Sequence, residues 1–204
     1  MAPRLLSQEC VTFRLLALFA FALSCLPAAA SDFSSEVLAE MNLARTAPQE
    51  YAQVLSERVS GPRATKAVHE AIRFLKRAKP LPPLELSAGM SMGARLHVDD
   101  LGPRGGRGHY GRGGSTPFER MNQFGQWTGH AGENIYYGSR DARGVVCALI
   151  VDEGVPGRKH RENIFSKSYR VAGVAHGRHS GFGAMCVMNF ASSYQERGSQ
   201  LADM

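Results

Sequence analysis

Apolar positions follow two regimes along the chain. In the first half they recur every three or four residues: Val37, Met41 and Ala44; Tyr51, Val54 and Leu55; Val68, Ala71, Ile72 and Leu75; Met90, Ala94, His97 and Leu101. That spacing puts each set on one face of a helix. It predicts a helix over 33–47, with Ser34, Ser35 and Glu36 in the first turn, and a continuing or new helix from Pro48 that stops at Gly61-Pro62. A further helix is predicted over 65–78. Another, capped by Ser87, runs to Asp100, and Pro80, Pro82 and Pro83 form a rigid connector before it. Glycine density makes 102–116 a loop, followed by a short helix over 117–121. Strand composition comes next at 132–137. Asp141 then caps a helix to Glu153 with Val145, Val146, Leu149 and Ile150 inward, and 161–165 makes one helical turn. Two runs rich in β-formers, 169–175 and 184–191, read as an antiparallel hairpin joined through 177–183. Helices first and strands last imply an α+β domain with helices packed on a sheet.

The first thirty residues stand apart from this pattern. Arg4 and Arg14 precede and open an apolar run, Leu15 to Leu26, that is short for a bilayer, and Ala28-Ala29-Ala30 offers a cleavage site. The expectation is a signal peptide over 1–30, a mature chain from Ser31, one domain over 33–195 and a polar tail over 196–204. Ala22-Leu23-Ser24 before Cys25 is a poor lipobox. No second apolar run of spanning length follows, so a secreted, extracellular protein without a stable membrane span is expected. Loss of Arg4, Arg14 and Glu9 takes the net charge from +6 to +5. A basic secreted chain favours anionic surfaces such as wall polymers or lipid head groups. Cys10 and Cys25 leave with the signal. Cys147 and Cys186 remain, and both a bridge and two buried thiols stay open.

The chemistry-bearing residues centre on Gly132-Glu133-Asn134-Ile135 and two flanking histidines, His109 and His160, with Asp152 or Glu153 as a further acid. Imidazole nitrogen and carboxylate oxygen are ligand types that Zn²⁺, Ni²⁺ or Cu²⁺ accept. The residues are scattered rather than set in a compact motif such as H-E-x-x-H. His97 falls on the inward stripe of its helix and reads as a packing histidine. Gly177-Arg178-His179-Ser180-Gly181 misses the G-x-S-x-G elbow and lies in a hairpin turn. His176 and His179 read as solvated side chains of that hairpin, and Trp127 as a packing anchor. The Arg-Gly segment 104–114 has one aromatic, Tyr110, and follows a secretion signal, so nucleic acid is not expected as a partner.

Short motifs in order carry a resemblance: Asn42-x-x-Arg45, Pro83-Leu84-x-Leu86, His109 followed by Gly111, Phe118-Glu119-Arg120, Gly132-Glu133-Asn134-Ile135, Lys159-His160-Arg161-Glu162-Asn163-Ile164 and Val171-x-Gly173-Val174. From Phe33 to Ala191 the chain resembles the CAP superfamily of cysteine-rich secretory, antigen and pathogenesis-related proteins, in its cysteine-poor bacterial-type SCP branch. The resemblance implies a three-layer α-β-α sandwich with a central, mostly antiparallel sheet. It also implies a metal-competent cleft lined by His109, Glu133, His160 and a fourth acid. Leu149 stands where the family often has Trp, which makes Asp152 the expected fourth member and leaves Glu153 beside it. The expected function is a non-enzymatic module that binds lipid, sterol or an anionic cell-surface ligand, with zinc or another divalent metal in the cleft. The alternative is a metal-dependent hydrolase or endopeptidase in which Glu133 or Asp152 takes a proton from bound water.

Overall fold

Asp32 starts the fold, because its carboxylate accepts hydrogen bonds from the Ser34 and Ser35 amides (2.7 and 3.1 Å) and so caps α1, Phe33–Thr46. The computed structural model describes residues 32–59, 64–138 and 141–198. The expected signal peptide and residues 199–204 of the expected tail lie outside them, and Glu196 belongs to a strand rather than to the tail. Helix α2, Pro48–Arg58, is a new helix with Pro at its first position, where a missing N–H costs nothing. Helix α3, Lys66–Arg77, is capped by Thr65. Strand β1 is the pair Glu85–Leu86, and α4, Ala88–Arg104, is capped by Ser87.

Helix α4 runs a turn beyond the expected Asp100. Pro103 falls within it, and Gly105 ends it in the left-handed conformation (φ 67°) that a side chain disfavours. Helix α5, Pro117–Asn122, begins with a capping box between Thr116 and Glu119. Strand β2, Gly125–Tyr137, starts seven residues before the expected Gly132. The extra length lacks a clean alternation. It is a strand because it pairs with the end of β4, across a register shift between Thr128 and Ala131. Helix α6, Ala142–Val151, is capped by Asp141, and α7 spans Lys159–Ile164. The hairpin strands β3, Val171–His179, and β4, Gly183–Glu196, both outrun their predicted ends.

The sheet order is β1-β3-β4-β2, antiparallel except where β1 meets β3. Alternation along the strands divides the core. Ala172, Val174, Cys186, Met188 and Phe190 face a layer containing α1, α2, α3 and α6. Ala175, Met185, Val187 and Ile135 face α4 through Ala94, Val98 and Leu101. The expected three-layer α-β-α arrangement is what forms. Gly173 permits it, since a Cβ there would run into the backbone of Met90 and Ser91 where α4 crosses the sheet. Among the described residues no helix is long and apolar enough to cross a membrane.

The Asn42-x-x-Arg45 motif has a structural task. Asn42 pairs with both backbone groups of Leu84, donating to its carbonyl (3.0 Å) and accepting from its amide (2.7 Å). Arg45 is fully buried and donates to the carbonyls of Pro82, Ile164, Ser166 and Tyr169 at 2.7–3.3 Å. Burial, with nearby Arg170, pushes its pKa down to about 10. This one cation ties α1 to the proline connector and to both sides of the turn before β3. Cys147 and Cys186 are free, buried thiols, so the bridge left open by the sequence does not form. Burial raises both thiol pKa values, Cys186 to about 12. The two histidines of the hairpin are also more enclosed than expected. His179 is buried, with Nε2 bonded to Gly106 O (2.8 Å) and Nδ1 accepting the amides of Gly181 and Phe182, while the His176 ring lies 4.1 Å from Phe33.

Arg45→Met should lower unfolding free energy by about 3 kcal/mol or more, because four carbonyls lose a donor and those of Ile164 and Tyr169 are buried. Urea denaturation followed by circular dichroism would measure it, and a loss under about 1 kcal/mol would contradict this role. Native protein treated with iodoacetamide should stay unmodified at Cys147 and Cys186, and both should alkylate in denaturant without reductant.

Candidate functional site

The site forms where β2, an edge strand of the sheet, passes between the two helical layers. Glu133 lies opposite Asn189 of β4, and Asn134 opposite Met188. Alternation therefore sends Glu133 toward the α4–α5 layer and Asn134 toward the α7 side. Gly132 allows the close approach: a Cβ there would lie 2.6 Å from the Tyr169 hydroxyl and 3.2 Å from Asn163 Oδ1.

On the α4–α5 side, the Glu133 carboxylate is inaccessible, with 1% of its side chain exposed. Its Oε1 accepts from His109 Nδ1 (2.8 Å) and its Oε2 from Arg120 Nη2 (2.8 Å). Arg120, buried on α5, also donates to the carbonyls of Ser115 (2.8 Å) and His109 (3.1 Å). One guanidinium therefore neutralises the acid and holds the loop bearing its histidine. The same loop is pinned from α4 and from the end of β2. His97 Nε2 donates to Gly108 O (2.9 Å), Asp100 Oδ2 accepts the Arg112 amide (2.6 Å), and the Tyr137 hydroxyl accepts the Gly108 amide (2.9 Å). His97 is a buried structural histidine, as its stripe position predicts, and burial pushes its pKa down. Its Nδ1 and the Arg120 Nε have no hydrogen-bond partner among the described residues.

On the α7 side, Asp152 is the acid that meets His160, and Glu153 is exposed and turned toward α2 and α3. Helix α6 stops at Val151, and Asp152 caps it in the left-handed conformation (φ 51°, ψ 43°). That backbone is costly for a residue other than glycine, and here it aims the carboxylate at α7. Oδ1 accepts from His160 Nδ1 (2.6 Å) and Oδ2 from the His160 amide (2.9 Å). Arg158, also left-handed at φ 53°, donates to Asp152 O (2.6 Å) and closes the turn. Asn134 and Asn163 join the two sides. Asn134 donates to His160 O (2.9 Å), and Asn163 Nδ2 contacts Asn134 Oδ1 (2.8 Å) and Glu133 O (3.4 Å).

The four expected residues thus stand as two His–carboxylate pairs on either side of one strand. In each, Nδ1 donates to the acid, which leaves Nε2 as the nitrogen open to a ligand. The His109 side chain is 48% exposed and that of His160 23%, whereas Asp152 is 3% exposed. Both acids have their oxygens engaged. Among the described residues no three His, Cys, Asp or Glu side chains converge on a metal position. The arrangement is two imidazoles, each with a carboxylate behind it, and not four converging ligands. Sequence reasoning missed Arg120, Asn134 and Asn163 as site residues. All three lie inside the short motifs, as the polar positions that the hydrophobic pattern leaves unexplained.

The Cysteine-rich secretory protein family profile, CAP, matches residues 38–190, and the chain belongs to this family. The uncharacterized protein YkwD of Bacillus subtilis (strain 168) is 28% identical over 151 residues, covering 72% of this chain and 56% of the relative. The chain therefore spans just over half the length of that relative. Among solved structures, an extracellular protein containing a SCP domain from Bacillus anthracis is 23% identical (TM-score 0.44), with 54% of this chain and 34% of that one covered. An outer surface protein from Borrelia burgdorferi is 16% identical (TM-score 0.47), with 73% and 92% covered.

Glu133→Ala should destabilise the fold by about 3–5 kcal/mol, since it leaves Arg120 as an uncompensated buried cation. Glu133→Gln keeps an acceptor for Arg120 and should cost clearly less. Equal unfolding midpoints for the two variants would refute the Arg120–Glu133 coupling.

Proposed function

We propose that this chain is a secreted CAP-domain binding module whose ligand, a lipid, a sterol or an anionic cell-surface polymer, docks at the cleft between the His109 loop and α7. Secretion is supported by the basic, apolar and small-residue sequence of positions 4–30 and by the family. The observation that carries the binding reading is the state of the two acids. Every carboxylate oxygen of Glu133 and Asp152 already accepts a hydrogen bond within the protein. Neither acid is poised to take a proton from water, as a hydrolytic general base must be. The basic charge of the chain favours an anionic partner.

His109 and His160 would hold a zinc-like ion through Nε2, with Glu133 and Asp152 orienting the rings from behind. A metal bound there supplies a Lewis-acidic centre with positions left for water or a ligand oxygen. The competing reading, a metal-dependent hydrolase, draws on the same pairs, because a carboxylate-oriented imidazole is also a general-base arrangement.

Calorimetry should give saturable Zn²⁺ binding to the wild type and at least about tenfold weaker binding to His109→Ala/His160→Ala. Equal affinity would remove the metal from the cleft. Zinc-loaded protein should bind at least one member of a panel of lipids, sterols and anionic wall polymers, and no saturable binding would count against the module. Chelator-sensitive hydrolysis of a peptide or ester library, lost in Glu133→Gln, would establish the hydrolase instead.

A further inference from the structure

Helix α7 has a second face. His160 and Asn163 face the paired site, while Arg161 and Glu162 of the helix, with Arg158 and Phe165 flanking its two ends, border a hollow of about 510 Å³ shared with α3. That volume lies within the range of small-molecule sites. The apolar surface comes from Phe74 and Phe165, whose rings meet edge to face at 4.9 Å, together with Leu81. The wall is preformed. Leu81 sits between prolines, its amide bonded to Arg45 O (2.8 Å), and Arg45 Nε holds Pro82 O (3.0 Å). The Arg161 guanidinium lies over the Phe74 ring at 4.9 Å.

The charges around this hollow do not balance. Glu70 is taken by Arg161 through two short bonds (2.7 and 2.6 Å) and approached by Arg158 at 3.4 Å. The Arg161 hydrogen bonds hold the Glu70 carboxyl below its usual range. Glu162 is taken by Lys159 at 2.7 Å. Lys79 and Lys167, both exposed at the rim, make no ion pair among the described residues. An apolar, partly aromatic floor beneath two uncompensated ammonium groups is complementary to a molecule with an apolar body and one anionic head.

We propose that the hollow between α3 and α7 is a second ligand site, separate from the His109–His160 cleft, for a small amphiphilic carboxylate. The apolar body rests on Phe74, Phe165 and Leu81, and the carboxylate lies between Lys79 and Lys167. The preformed wall keeps the ordering cost of binding low.

Titration calorimetry with decanoate and 3-phenylpropionate tests the site and separates an acyl from an aryl body. At least one should saturate at one equivalent, with its neutral amide binding about tenfold or more weakly. Lys79→Ala/Lys167→Ala, whose circular dichroism should match the wild type, should weaken carboxylate binding by a similar factor. The His109→Ala/His160→Ala protein should bind as the wild type does. No saturation of either carboxylate by about 1 mM, equal affinity for the amide, or unchanged affinity in the lysine variant would each overturn the proposal. Loss of binding in the histidine variant would move the ligand to the cleft and overturn it as well.

Discussion

A carboxylate taken out of water must be neutralised where it sits, and in this protein that requirement falls on Glu133. Its position on an inward-facing register of β2 leaves no route to solvent, so each oxygen needs a donor from the protein. Arg120 supplies one and His109 the other. Arg120 reaches Glu133 only because α5 starts at a fixed place, which the Thr116–Glu119 capping box secures. Arg120 in turn holds the carbonyls of His109 and Ser115, so the glycine-rich loop is drawn onto the strand. Glycine gives that segment freedom. The buried acid, through its arginine, takes the freedom away.

The second pair obeys a different constraint. Asp152 comes from the helix end rather than the strand, and only a left-handed backbone aims it at His160. The cost of that conformation is offset by two hydrogen bonds to its carboxylate and one from Arg158 to its carbonyl. The Asn134–Asn163 contact then connects α7 to the edge strand. The pairs are mechanically linked through β2, yet each acid is spent on orienting its own histidine. That division leaves the two Nε2 atoms, not the carboxylates, outside the hydrogen bonds that make the pairs.

Charge organises the far side of α7 as well. Arg161 is buried by its contacts with Glu70, Phe74 and the carbonyls at the end of α6, so it acts as structure rather than as a free cation. The lysines at the rim carry the unbalanced charge. The segment that carries α7 therefore turns His160 toward Asp152 and borders this hollow with Arg158, Arg161 and Phe165.

Much of this was legible in the sequence. Apolar spacing located every long helix, because burying a stripe on a sheet requires a helical period whatever the partner. Ser87 and Asp141 were readable as caps, since capping is a local hydrogen bond. The ordered motifs pointed to the three layers and to His109, Glu133, Asp152 and His160. The ends of β2 and β4 were not legible, because Gly125 to Ala131 become a strand only by pairing with residues 60 to 71 positions away. Nor was the fate of Cys147 and Cys186, which depends on where α6 crosses the sheet. The sequence by itself determined the candidate set of two histidines and their acids. Tertiary structure decided that they work as two oriented pairs, that Asp152 and not Glu153 completes the second, and that Arg120 and Asn134 hold them in place. The reason is physical: burial and backbone conformation set the partners of a charged group, and both arise only when distant segments pack together.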